Sequence, residues 1–272
     1  MKLSLCNEVI RDLDFPRQCA FAAAVGYDGL EIAPFTLKDD SLTLTAGEIA
    51  AVRSALKAEG LACSSLHWLL VAPSGLSITD PDPAVRERTI EAIRRLIGLA
   101  AELDAPVLVH GSPKQRNLVE GEVSRDHAMT AFRAAAEAAE KAGVTYCLEA
   151  LAPNETDFVN TVAEAAAIVD AIASPAFKTM LDACAAGQTE DDVPAVVDRL
   201  LPSGHIAHVQ LNDPNQRGPG EGDLPIAPII QALQRHGYQG WLAAEPFDYR
   251  PDGPACAARA AGFLRGILEA LR

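Results

Sequence analysis

No two cysteines in this sequence are spaced as CxxC, no GxGxxG or Walker A string follows any apolar run, and no apolar stretch approaches a membrane span. The first absence excludes a zinc-finger or thioredoxin-type motif. The second removes support from nucleotide-cofactor readings, and the third from a membrane partner. Basic residues are also scarce. There are 23 Lys and Arg against 37 Asp and Glu, a net charge of −14. Binding a polyanion relies on Lys and Arg to neutralise phosphates, so no nucleic-acid partner is expected. The apolar start after Met1 and Lys2 gives way to Asn7, Glu8, Arg11 and Asp12. That is too short for a secretory signal, and a cytoplasmic location is the expectation. Cys6, Cys63 and Cys147 lie in apolar runs, where free Cys is a common small core residue of a reducing compartment.

What is present is a repeated alternation. Eight short apolar runs have the character of parallel strands buried on both faces. They are Lys2–Asn7, Gly29–Phe35, Leu61–Trp68, Pro106–Ser112, Thr145–Leu151, Phe177–Cys184, Ile206–Asp213 and Gly240–Phe247. Helical spacing separates several of them, over Pro83–Leu103, Ser124–Ala142, Thr161–Ile172 and Phe263–Leu271. Asp82 and Pro83 suit a helix start, and Gly60 and Gly143 suit helix ends. Eight units in 272 residues is about 34 residues each, the length of a βα unit. No linker or low-complexity segment interrupts them. The expectation is an α/β chain folded as one (β/α)8 TIM barrel domain over residues 1–272.

The ends of the runs carry the polar groups. In order they are Asn7 with Glu8, Glu31, His67, His110, Glu149, Asp182, Gln210 with Asn212, and Glu245. Barrel active sites form at the C-terminal ends of the strands. Several carboxylates converging there would repel one another, and a divalent cation is the simplest compensation. Glu149, Asp182, Gln210 and Glu245 form the expected ligand set. All four donate oxygen, which favours Mn²⁺ or Mg²⁺, with Zn²⁺ or Co²⁺ as further options.

With these motifs the chain resembles the xylose-isomerase-like barrel superfamily of sugar isomerases and epimerases, over nearly its whole length. The resemblance is carried by LEALAPNETDFVNT (Leu148–Thr161), LDAC (Leu181–Cys184), HVQLNDPNQRGPGEGD (His208–Asp223) and AAEPF (Ala243–Phe247). It implies a divalent metal held by Glu149, Asp182, Gln210 and Glu245. Many members have His where Gln210 stands. Hydroxypyruvate isomerases are similar in carrying Gln there, and in an Arg before a Pro-Gly turn, here Arg217. Ketose 3-epimerases are similar in a substrate-contacting Glu at the place of Glu155. Two positions depart from the pattern. Ala185 stands where a His usually follows the strand-6 Asp, and Ala152 where an Asn commonly follows the strand-5 Glu. The segment PNQRGPGEG lacks the additional His and Asp ligands of the DNA-repair branch, endonuclease IV.

The resulting expectation is a metal-dependent isomerase or epimerase of a small ketose or hydroxy-keto acid, working through an enediolate. Glu149 and Glu245 would act as the acid/base pair as well as ligands. His67, His110, Glu155 and Arg217 would bind the sugar-like substrate. Glu31 would orient a neighbour, and Trp68 is equally suited to the pocket wall and to the core. Lys114 and Arg116, near the mouth, would favour an anionic substrate or simply be solvated. His127, His205 and His236 read as structural or solvated. A dehydratase or lyase on the same barrel is the alternative, and an endonuclease IV-like nuclease a more distant one. A homodimer or homotetramer is compatible with the resemblance.

Overall fold

The computed structural model describes residues 1–272. Eight parallel strands close into a barrel: β1 (Lys2–Cys6), β2 (Gly29–Ile32), β3 (Ala62–Leu66), β4 (Val107–His110), β5 (Thr145–Leu148), β6 (Phe177–Asp182), β7 (Ile206–Leu211) and β8 (Trp241–Ala244). Neighbours in the ring follow chain order, and β1 pairs with β8 to close it. Each strand falls within one of the eight apolar runs, but most end short of it. The difference matters for the site. Glu149 and Glu245 follow β5 and β8 directly, and His67 follows β3, so these side chains leave the ladder at its rim.

Nine helices accompany the strands: α1 (Phe15–Val25), α2 (Ala46–Ala58), α3 (Pro83–Glu102), α4 (Glu122–Ala142), α5 (Val162–Ile172), α6 (Ala183–Thr189), α7 (Val193–Leu200), α8 (Ile226–Arg235) and α9 (Gly253–Ala270). Side-chain caps explain where many of them start. Thr45 with Glu48 and Thr161 with Glu164 form reciprocal capping boxes. Asp14, Asp82, Asp182, Asp192 and Asp252 each accept a backbone N–H of their helix's first turn. Gly143 ends α4 in the left-handed conformation, as its position in the sequence suggested. The last helix differs from expectation. It begins at Gly253 rather than Phe263, because Asp252 caps it and the small residues Cys256, Ala257, Ala260 and Ala261 are buried.

A continuous apolar cluster of 71 buried residues packs the strands against the helices. Val107, Val109, Cys147 and Met180 form a second, small cluster. With side chains alternating along a strand, Cys147 shares a face with Glu149, and Met180 with Asp182. This set therefore lies on the lumen side, beneath the polar rim. No helix is long and apolar enough to cross a membrane.

Candidate active site

Three carboxylates meet at the rim. Glu149 follows β5, Asp182 ends β6 and Glu245 follows β8, and oxygens of the three lie within 4.8 Å of one another. All are buried. Burial pushes the Glu149 carboxyl well up, and the charges of Glu245 and Asp182 push it further. Burial raises Asp182 to about 7, even though the backbone N–H of Ala185 opposes the shift. Burial also holds Glu245 well above the usual carboxylate range, against the pull of His67. Three acids in this space do not ionise together without a compensating cation.

The neighbours of each acid leave particular oxygens over. Asp182 accepts the Ala185 N–H on Oδ1 at 2.6 Å, so α6 occupies that oxygen while Oδ2 is buried with no partner. Gln210 pairs in register with Asp182 across β6 and β7. Its amide nitrogen donates to Glu31, and its Oε1 is likewise buried and unpartnered. Glu245 meets His67 Nδ1 at 3.0 Å through Oε1. Its main-chain carbonyl accepts from Asn212, whose own Oδ1 accepts the Cys184 N–H, joining β7, β8 and α6. Leftover carboxylate and amide oxygens, with no sulfur or imidazole among them, fit a hard divalent cation.

Glu149 is fitted from two sides. Gly111 lies against its carboxylate, and a Cβ there would overlap Oε2. Arg116 is completely buried and donates to the carbonyl of Glu149 at 2.6 Å and to that of His110 at 3.4 Å. Burial lowers its pKa to about 10, with Glu149 and Glu155 pulling back, so it keeps its charge near neutrality.

His67 lies among acids. Its Nε2 is 3.0 Å from Glu8 Oε2, and its Nδ1 is 3.0 Å from Glu245 and 3.4 Å from Glu31. Burial disfavours the charged ring, but Glu8 and Glu31 outweigh that and hold its pKa well above the usual value. Glu31 itself is buried, yet His208 and His67 keep it ionised, at about 2.

A cavity of about 230 Å³ opens over this floor. Trp68 and Phe247 form one wall, edge to face with centroids 6.2 Å apart. Trp68 holds φ at 52°, a conformation uncommon for a bulky residue. Polar groups come from Asn154, Glu155, Gln188 and Gln216. Of the residues expected to contact substrate, His67 and Glu155 line the cavity and His110 and Arg217 do not. His110 has the strand parity of Leu108 and faces the helix layer, bonding Tyr146 at 2.7 Å with its ring against Phe132. Burial lowers its pKa to about 3, so it is neutral. Arg217 turns to Asp248 at 3.4 Å, and its neighbour Gln216, with φ 67°, lines the cavity instead. Arg116 is neither solvated nor in the cavity lining, because it is fully buried and its two terminal nitrogens donate to backbone carbonyls.

Sequence reasoning missed Gln188, Asn154, Gln216 and Cys184. Gln188 had one usable signal: it lies six residues after Asp182, on the helix that Asp182 caps. Cys184 shares that helix, two residues after Asp182, whereas Asn154 and Gln216 depend on loop conformation.

Comparison with known proteins agrees with this architecture. A D-psicose 3-epimerase from Enterocloster bolteae is 28% identical over 242 residues, covering 86% of this chain and 77% of its own. A putative hydroxypyruvate isomerase from Streptomyces coelicolor is 28% identical over 251 residues, covering 87% and 86%. The crystal structure of a D-psicose 3-epimerase from Clostridium cellulolyticum H10, with D-tagatose, superposes over the full length of both chains with a TM-score of 0.84 at 21% identity. The family model of the xylose isomerase-like TIM barrel matches residues 19–267, which include every strand but β1, and the chain belongs to that family.

Proposed function

We propose that this chain is a divalent-metal-dependent epimerase or isomerase of a small, uncharged ketose. The observation that carries the reading is the convergence of Glu149, Asp182 and Glu245, beside two buried oxygens on residues paired across β6 and β7, Asp182 Oδ2 and Gln210 Oε1, that are left without partners. Glu149, Asp182, Gln210 and Glu245 would hold the ion. When bound, the ion supplies charge to offset the negative oxygen that develops when a proton leaves the carbon beside a carbonyl.

The chain's own residues supply the rest. Glu149 and Glu245 follow β5 and β8, which β6 and β7 separate in the ring, and would exchange the proton with the substrate carbon from its two faces. His67 holds Glu245 Oε1, which directs the other oxygen elsewhere. Trp68 and Phe247 wall one side of the cavity with apolar surface and would limit water beside the reacting carbon. Asn154, Glu155, Gln188 and Gln216 offer both donors and acceptors, the chemistry of hydroxyl recognition.

The preference for an uncharged sugar over a keto acid rests on the lining. No lysine or arginine faces the cavity, and Glu155 adds a further carboxylate. The cationic side chain in the lining, His67, has its ring nitrogens on Glu8 and Glu245, so an anionic substrate would have no free side-chain counter-ion there. The ketose 3-epimerases among the relatives agree with this choice.

The test is incubation with ketohexoses and ketopentoses in D₂O with Mn²⁺. An epimer carrying deuterium at the inverted carbon is the expected product, and Glu149→Gln or Glu245→Gln should lower kcat by about 10²–10⁴. Full activity of both variants with metal bound would refute the acid/base pair. Loss of water from the substrate would instead reveal a dehydratase. Turnover of hydroxypyruvate in preference to ketoses would overturn the choice of substrate.

A further inference from the structure

Glu31 takes no part in the chemistry above, yet it is fully enclosed and held by four polar side chains. Ser65 Oγ and His208 Nε2 each lie 2.5 Å from its Oε2. The Gln210 amide nitrogen and, at 3.4 Å, His67 Nδ1 address its Oε1. In the ring β8 and β1 separate β7 from β2, so the bonds from His208 and Gln210 cross the lumen. Glu31 lies outside the cavity lining and outside the cluster of three acids.

An amide has two unlike ends, and its orientation is decided by what it bonds. A carboxylate can only accept, so Glu31 takes the NH₂ end of Gln210. The oxygen end is left over, buried and without a partner. Turned the other way, the amide would oppose oxygen to the Glu31 carboxylate and present hydrogens to a cation. We propose that Glu31 is a positioning residue that makes Gln210 an oxygen donor to the divalent ion and thereby sets metal affinity. The inference rests on the ligand set given under Proposed function. It is the amide counterpart of the carboxylate that orients a metal-bound histidine, whose removal costs about 10–100-fold in affinity.

The experiment measures Mn²⁺ affinity of the metal-stripped full chain from the electron paramagnetic resonance signal of free Mn²⁺. The proteins compared are wild type, Glu31→Gln, Gln210→Ala and the exchange Glu31→Gln/Gln210→Glu. Glu31→Gln keeps shape but lets the two amides pair in either orientation. It should weaken Mn²⁺ binding at least about tenfold. The exchange restores an amide–carboxylate pair whose oxygens now belong to residue 210, and should bind within about threefold of wild type. Unchanged affinity in Glu31→Gln, beside weakened binding in Gln210→Ala, overturns the proposal while leaving the ligand set intact. Unchanged affinity in Gln210→Ala overturns the ligand set and the proposal with it. A purely structural Glu31 would lower the melting temperature of the metal-free protein and leave the Mn²⁺ affinity alone. If Glu31→Gln does not fold, the exchange decides: a loss beyond tenfold overturns the proposal, and near-wild-type binding supports it.

Discussion

At Gly111 the absence of a side chain is a condition of the site. A methyl group there would overlap the Glu149 carboxylate, which then has to move. A displacement of about 1 Å at a reacting group costs on the order of 10²-fold in rate. Gly111→Ala should therefore reduce kcat by about two orders of magnitude with the ketose substrate, while urea unfolding stays near wild type. Normal turnover in that variant would mean that Glu149 has latitude, and that its observed placement is not the working one. Asp182 shows the same economy of position. One oxygen caps α6 through the Ala185 N–H, and the other is released to the cluster.

Segments are joined by a single buried side chain at the next scale. Arg116 comes from the β4–α4 connection and donates to the carbonyls of His110, at the end of β4, and Glu149, just past β5. A third donor reaches the carbonyl of Val159, in the segment before α5, at 3.5 Å. The His110 and Val159 carbonyls each accept one backbone N–H already, from Glu149 and Leu151, and all three carbonyls would otherwise be buried with fewer partners. Removing the guanidinium leaves them short of donors and opens a void. Arg116→Met should cost about 3 kcal/mol, read as a lower urea midpoint with an unchanged slope. Arg116→Lys keeps the charge but not the fork, and should recover only part of that loss. A stability equal to wild type in Arg116→Met would show that the carbonyls find other donors.

For the molecule as a whole, the clustered acids set the response to pH and to metal. Glu149, Asp182 and Glu245 have folded pKa values above their unfolded ones, Asp182 at about 7 against 3.8. The folded chain therefore binds more protons than the unfolded one, and stability falls as pH rises from about 4 to 7. His67, also raised, stabilises fully below its unfolded value of 6.5 and loses that contribution as pH rises through its higher folded value. Glu31 has the opposite sign: depressed to about 2, it stabilises above 4.5 and loses this only as the pH falls towards 2. Metal-stripped protein should thus have a higher urea midpoint at pH 5.5 than at pH 8. A divalent ion binds the ionised acids and should flatten or reverse the trend. Saturation at a hundred times Kd adds about 2.7 kcal/mol. A midpoint of the stripped protein that rises with pH would contradict the arrangement of these acids.

The sequence by itself determined the barrel and the acids of its rim. Runs buried on both faces, spaced by about one βα unit, leave few architectures open, and polar residues at run ends fall at the mouth of a closed parallel barrel. Glu149, Asp182 and Glu245 are legible for that reason, and Gln210 through its motif. Strand parity and loop conformation were decided only in three dimensions. His110 and His67 look alike as histidines ending apolar runs. One continues the outward parity of β4 and packs on α4, whereas the other turns into the lumen among three carboxylates. Arg217 and Gln216 are adjacent, and the fold of their loop selects the glutamine. The Glu31–Gln210 bond joins residues 179 positions apart across the ring. No local pattern encodes such a contact, because it exists only once the barrel has closed.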